Sequence, residues 1–104
     1  MTIHDVDRRL QAWSVWYRCR RQDSASFTAE IQAVERAVAR LGDIQREVIR
    51  CVYLDRRTRF DIARRLDIHV ERVPSVQVSA LEVLLNSLEV ADAEVAKERR
   101  RARN

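Results

Sequence analysis

The chain is expected to fold as an all-α protein. Three observations predict this. Apolar residues recur at steps of three and four along most of its 104 residues, the spacing that lines one face of a helix. There is one Gly and one Pro, too few turn-formers for a β-rich fold of this length. Short polar runs, rather than alternating strands, separate the apolar stretches.

About five helices follow in order. Ile3, Val6, Leu10, Trp13, Trp16 and Tyr17 predict a first helix over about residues 3–21, ended by the polar run 22–26. Trp13 and Trp16 are its large anchors on the core. Thr28 is suited to cap a second helix carrying Ile31, Val34, Val38 and Leu41, with Gly42 just past its end. Asp43 is the expected cap of a third, with Ile44, Val48, Cys51 and Val52 inward. Residues 55–58 break the pattern. Thr58 then caps a short fourth helix with Phe60, Ile62, Ala63 and Leu66 inward. A last helix runs from about Pro74 to Arg99. Val76, Ala80, Leu84, Leu88, Ala91 and Val95 form one stripe, and Val78, Leu81 and Leu85 a second. This gives one domain over residues 1–98, with N-terminal helices over 3–41, a core over 43–84 and a last helix extended to about 98. Residues 99–104 are expected to be a frayed basic tail.

The net charge of +4 is unevenly spread. Residues 1–40 carry +2, 41–66 carry +3, 67–96 carry −5 and 97–104 carry +4. No apolar run approaches the roughly 20 residues that span a bilayer, and no secretory leader is evident, so a cytoplasmic protein is expected. Cys19 and Cys51 lack metal spacing and read as buried reduced thiols. His4 and His69 have no companion ligand, and one glycine cannot build a phosphate-cradling loop. No nucleophile–base constellation is present. A non-enzyme without metal, cofactor or small-molecule substrate is the expectation.

The third to fifth helices carry a resemblance. Leu41, Gln45, Arg46, Glu47, Val48 and Ile49 resemble the opening L-x-x-x-Q-R-E-V-I of sigma-70 region 4. Tyr53 and Leu54 resemble its Y-L, and Asp61, Ile62, Ala63, Arg65, Leu66 and Ile68 its E-I-A-x-R-L-x-I. Glu71, Arg72 and Val73 resemble x-E-R-V, and Ala80, Leu81 and Leu84 resemble A-L-x-x-L. The resemblance implies a helix-turn-helix: residues 60–66 support, 67–69 turn, and the helix from about residue 70 reads DNA. Upstream, Leu10, Trp13 and Trp16 resemble the L-x-x-W-x-x-W of phage Q-type late antiterminators, which carry a sigma-like module. That second resemblance implies RNA polymerase as a partner and antitermination as the task.

The candidate DNA-binding residues are Arg56, Arg57, Arg59, Arg64 and Arg65 around the turn, and Arg72, Ser75 and Gln77 on the reading helix. Arginine forks suit phosphates, and neutral donors suit base edges. Two residues depart from the family pattern. Asp67 stands where glycine is favoured, at modest cost because Asp tolerates left-handed backbone. Pro74 costs about 3 kcal/mol if it falls inside the reading helix, and nothing if it falls in the first turn. The sequence leaves both placements open.

A helix apolar on two sides must bury both. Either the first helix covers the second stripe, or a homodimer or partner does so through Leu81, Leu85, Leu88 and Val95. The leading expectation is therefore a small phage-type transcription regulator that binds DNA and RNA polymerase, as a homodimer. The alternative is a protein-binding module on a sigma-like fold, docking through its acidic last helix.

Overall fold

The computed structural model describes residues 1–19 and 28–103. Five α-helices are present among them: α1 (Ile3–Cys19), α2 (Ala29–Ala39), α3 (Asp43–Tyr53), α4 (Arg59–Leu66) and α5 (Arg72–Arg103). The all-α expectation holds. The expected end of α1 near residue 21 and the break at 22–26 lie outside the described residues, as does Asn104.

Local chemistry fixes most helix starts. Thr2 and Asp5 cap α1 reciprocally: the Thr2 N–H donates to Asp5 Oδ2 (2.8 Å) and the Asp5 N–H to Thr2 Oγ1 (3.3 Å). With Arg8 beside it as well, the Asp5 carboxyl is lowered to about 2. Thr28 Oγ1 accepts from the Ile31 N–H and Thr58 Oγ1 from the Asp61 N–H, as expected of caps. The α2–α3 junction differs from expectation. Gly42 is the N-cap of α3, in extended backbone, and not a left-handed end of α2. Asp43 is the first residue inside α3, where it pairs with Arg46 (2.8 Å) and complements the helix dipole.

The core has two parts. The larger joins Val6, Leu10 and Trp13 of α1, Val34 and Val38 of α2, Ile49 and Tyr53 of α3, and Ala80, Leu81, Leu84 and Leu88 of α5. The smaller joins Val48 and Cys51 of α3, Ile62 and Ala63 of α4, and Val73 of α5. Thus α3 is wedged between the two, with adjacent residues Val48 and Ile49 facing opposite ways. Helix α5 serves the smaller core with its first turn and the larger with its middle. Each fully buried Val, Leu or Ile is worth about 1.5–3 kcal/mol.

This arrangement shows what covers the leucines of α5. Leu81 and Leu88 are buried in the larger core and Leu85 packs half-buried against it. The N-terminal helices cover them, so these leucines are not free to form an interface with another chain. Val95 is 41 % exposed and lies beyond the packed part of the helix.

Some apolar residues expected inward are exposed. Phe60 is 59 % exposed, because it sits two residues before Ile62 and so points to nearly the opposite side of α4. Ile44 lies on the correct face of α3, but α4 packs only against the later Val48 and Cys51. Val78 faces outward from α5, and Cys19 is exposed at the end of α1. Cys51 is buried as expected, and burial raises its thiol pKa.

The helix continues to Arg103, so residues 99–103 are helical rather than frayed. From residue 92 to residue 101 every side chain is exposed. Among the described residues the last hydrogen-bonded tie is a two-pronged pair between Arg9 of α1 and Asp92 of α5 (2.8 and 3.2 Å). At 1.5 Å per residue a 32-residue helix is about 48 Å long, which sets the 54 Å long axis of the molecule.

Candidate nucleic-acid interface

The turn between α3 and α4 is held open by its own backbone. Arg56 has left-handed backbone (φ 51°), and the Arg57 N–H donates to the Cys51 carbonyl (2.9 Å). This places Arg56 and Arg57 at the surface just before the Thr58 cap. Arg57 faces Asp55 at 3.8 Å, a loose pair. Arg59 lies over the Phe60 ring, 5.2 Å from its centroid. Arg64 and Arg65 project from the outer side of α4. Among the described residues Arg56, Arg59, Arg64 and Arg65 form no ion pair, so their charge is available to an outside anion.

The second connection is a five-residue turn. Asp67 ends α4 in the left-handed region (φ 55°, ψ 48°), and the Ile68 N–H donates to the Ala63 carbonyl (3.0 Å). The His69 carbonyl accepts from the Arg72 N–H (2.9 Å), and His69 Nδ1 accepts from the Glu71 N–H (3.3 Å). Helix α5 then begins at Arg72, between the start near Pro74 expected from apolar spacing and the start near residue 70 implied by the resemblance. Pro74 is its third residue. That position has no intrahelical N–H partner to lose, so Pro74 sits in the first turn without breaking the helix.

The outward face of the first turns of α5 carries Arg72, Ser75, Val78, Ser79 and Glu82, at helical spacing and all exposed. Pro74, Ser75, Val78, Ser79 and Glu82 line a shallow concavity there. Ser79 Oγ accepts from Gln45 Nε2 of α3 (3.0 Å), which fixes its hydroxyl. Gln77 is half-buried, less open than the rest of this face, and lies near the Tyr53 hydroxyl. That hydroxyl donates to Asp7 Oδ1 of α1 (2.6 Å), tying α1 to α3. Burial, then the Asp7 contact, push the Tyr53 pKa well above its usual range.

The structure therefore places the five turn arginines, Arg72 and Ser75 at the surface, and leaves Gln77 half-buried. Val78 was missed by sequence reasoning. Its outward spacing from Ser75 and Glu82 was legible, but it was assigned to an apolar stripe. No group of three His, Cys, Asp or Glu suited to a metal occurs among the described residues, and no described helix is long and apolar enough to cross a membrane.

Residues 37–85 match the family model for sigma-70, region 4. This part of the chain is similar to sigma-70 region 4. The match spans the end of α2, all of α3 and α4, and α5 as far as Leu85, which takes in both turns just described. It covers just under half of the chain; α1 and the far half of α5 lie outside it. No curated protein and no solved structure matches the chain. The family it resembles is a helix-turn-helix of a DNA-binding type associated with transcription regulation.

Proposed function

We propose that this protein is a small DNA-binding transcription regulator that holds the duplex mainly by its phosphates. The carrying observation is the row of exposed arginines around the α3–α4 turn and along α4, four of them without an ion pair among the described residues, on a helix-turn-helix similar to sigma-70 region 4. Arg56, Arg57, Arg59, Arg64 and Arg65 neutralise backbone phosphates on this reading. Arg72 and Ser75 approach base edges, and Val78 offers an apolar contact of the kind that suits a thymine methyl. One cation and one hydroxyl form a sparse reading face, so affinity exceeds sequence discrimination. The basic end of α5, with Lys97, Arg99, Arg100 and Arg101 exposed, adds non-specific attraction.

Two finer elements of the proposal rest on resemblance. Sigma-70 region 4 suggests RNA polymerase as the protein partner. The Leu10, Trp13 and Trp16 spacing suggests an antiterminator-like task. Trp13 is fully buried, so any polymerase contact by α1 falls to other residues. A nuclease-treated pull-down from host extract tests this part. Recovered polymerase subunits support it, and polymerase absent beside another enriched protein removes it.

A second reading has its own observation. Glu82, Glu89 and Glu94 are exposed along α5 beside Val78, Val83 and Val90, a face that repels phosphate. On this reading the chain docks to a protein through that face. DNA binding separates the two: no affinity for duplex DNA at low salt favours the docking module.

A further inference from the structure

Outside the matched region, α1 brings an arginine to the edge of the helix-turn-helix. Arg18 of α1, Arg50 of α3 and Arg65 of α4 line one open groove of about 510 Å³ with Tyr17, Glu47 and Asp55. Two of the three guanidinium groups are held in place. Arg50, half-buried, donates to the Tyr17 hydroxyl (3.3 Å), and its guanidinium carbon lies 5.7 Å from the centroid of that ring. Tyr17 is itself fixed by edge-on contacts with Trp13 and Trp16 (5.9 and 6.2 Å between centroids). Arg18 Nε donates to the Ser14 carbonyl (3.4 Å).

None of the three arginines forms an ion pair among the described residues, although Glu47 and Asp55 line the same groove. The only pair within 4 Å that Asp55 makes among them is with Arg57 (3.8 Å). A half-buried cation without a carboxylate partner carries a desolvation cost that a bound anion offsets. Arginine is also the side chain whose planar fork matches a phosphate. The groove is continuous with the turn surface, since Asp55 and Arg65 belong to both.

We propose that this groove takes backbone phosphates of the same DNA, extending the interface from α4 across α3 onto α1. The proposal rests on the DNA-binding reading above. The two carboxylates on its walls leave the groove only slightly positive, so it adds one or two phosphate contacts rather than an independent site. Its contribution does not depend on base sequence.

The test uses the full chain and a short mixed-sequence DNA duplex, with affinity followed by fluorescence anisotropy as salt is raised. Arg18→Gln alone is an exposed change that leaves the fold intact. Arg18→Gln with Arg50→Gln removes both held guanidinium groups, and its helical content is checked by circular dichroism. The expected result is a salt slope shallower by about 1 for the single variant and about 2 for the double. The affinity loss should be equal for duplexes of different sequence. An unchanged slope in Arg18→Gln, while Arg56, Arg57 and Arg59→Ala lowers it, overturns the groove and leaves the DNA-binding reading standing. Failure of the unaltered chain to bind the duplex at low salt overturns that reading and the groove together.

Discussion

Three single residues decide how the reading end of the molecule is built. Asp67 takes a left-handed backbone that costs most L-residues about 1–2 kcal/mol, but which Asp tolerates through its short polar side chain. Asp67→Val is therefore expected to destabilise by about 1–2 kcal/mol in urea unfolding, and Asp67→Gly by far less. Pro74 lies in the first turn of α5, so Pro74→Ala should lose only about 0.4–1 kcal/mol through a freer unfolded chain. A gain near 3 kcal/mol would instead mean that Pro74 interrupts the helix. Tyr53 donates to Asp7 from a buried site, and its pKa is raised above 10.0. Its stabilisation is fully present below pH 10.0. Above that the unfolded chain loses its proton first, so stability falls as pH rises. Unfolding measured between neutral and strongly alkaline pH should show this decline, and Tyr53→Phe should flatten it. The sequence allowed both placements of Pro74. It gave no sign of the Asp7–Tyr53 contact, because the two residues lie on different helices and meet only after packing.

At the scale of elements, helix existence and capping were legible. Thr28 and Thr58 announce their helices, and the stripes of α1, α2 and α5 were visible in their spacing. What covers each stripe was not. The two apolar sides of α5 are equally compatible with a neighbouring helix and with a second chain, because periodicity reports a face and not its partner. The structure answers with α1 and α2, and so removes the physical reason for a homodimer through Leu81 and Leu88. Leu84→Ala, at the centre of that packing, should cost about 2–5 kcal/mol in chemical unfolding. The far end of α5 behaves oppositely. From residue 92 to residue 101 its side chains are exposed, and the Arg9–Asp92 pair is its last ion pair among the described residues. Backbone amides beyond that tie should exchange with solvent much faster than those of Ala80–Leu88.

The whole molecule is a helix-turn-helix similar to sigma-70 region 4, built into a larger helical body. The matched segment owns only the smaller core; its other apolar faces are covered by Val6, Leu10 and Trp13 of α1 and by α2. Charge is divided along the same lines, with arginines around α4 and acids along the outer face of α5. The turn arginines of the candidate site were legible because they cluster in sequence. Arg18 and Arg50 were not, because they join Arg65 only in space. That Gln77 is half-buried was not legible, because a polar residue on such a helix looks the same in sequence whether it faces out or in. The central claim is that the turn arginines hold DNA by its phosphates. It is tested most directly by the salt dependence of duplex binding, compared between the unaltered chain and Arg56, Arg57 and Arg59→Ala. The account predicts steeply salt-sensitive binding by the unaltered chain, and a logarithmic slope shallower by about 3 in the variant. Equal slopes in the two proteins, or no binding by either at about 50 mM salt, would contradict it.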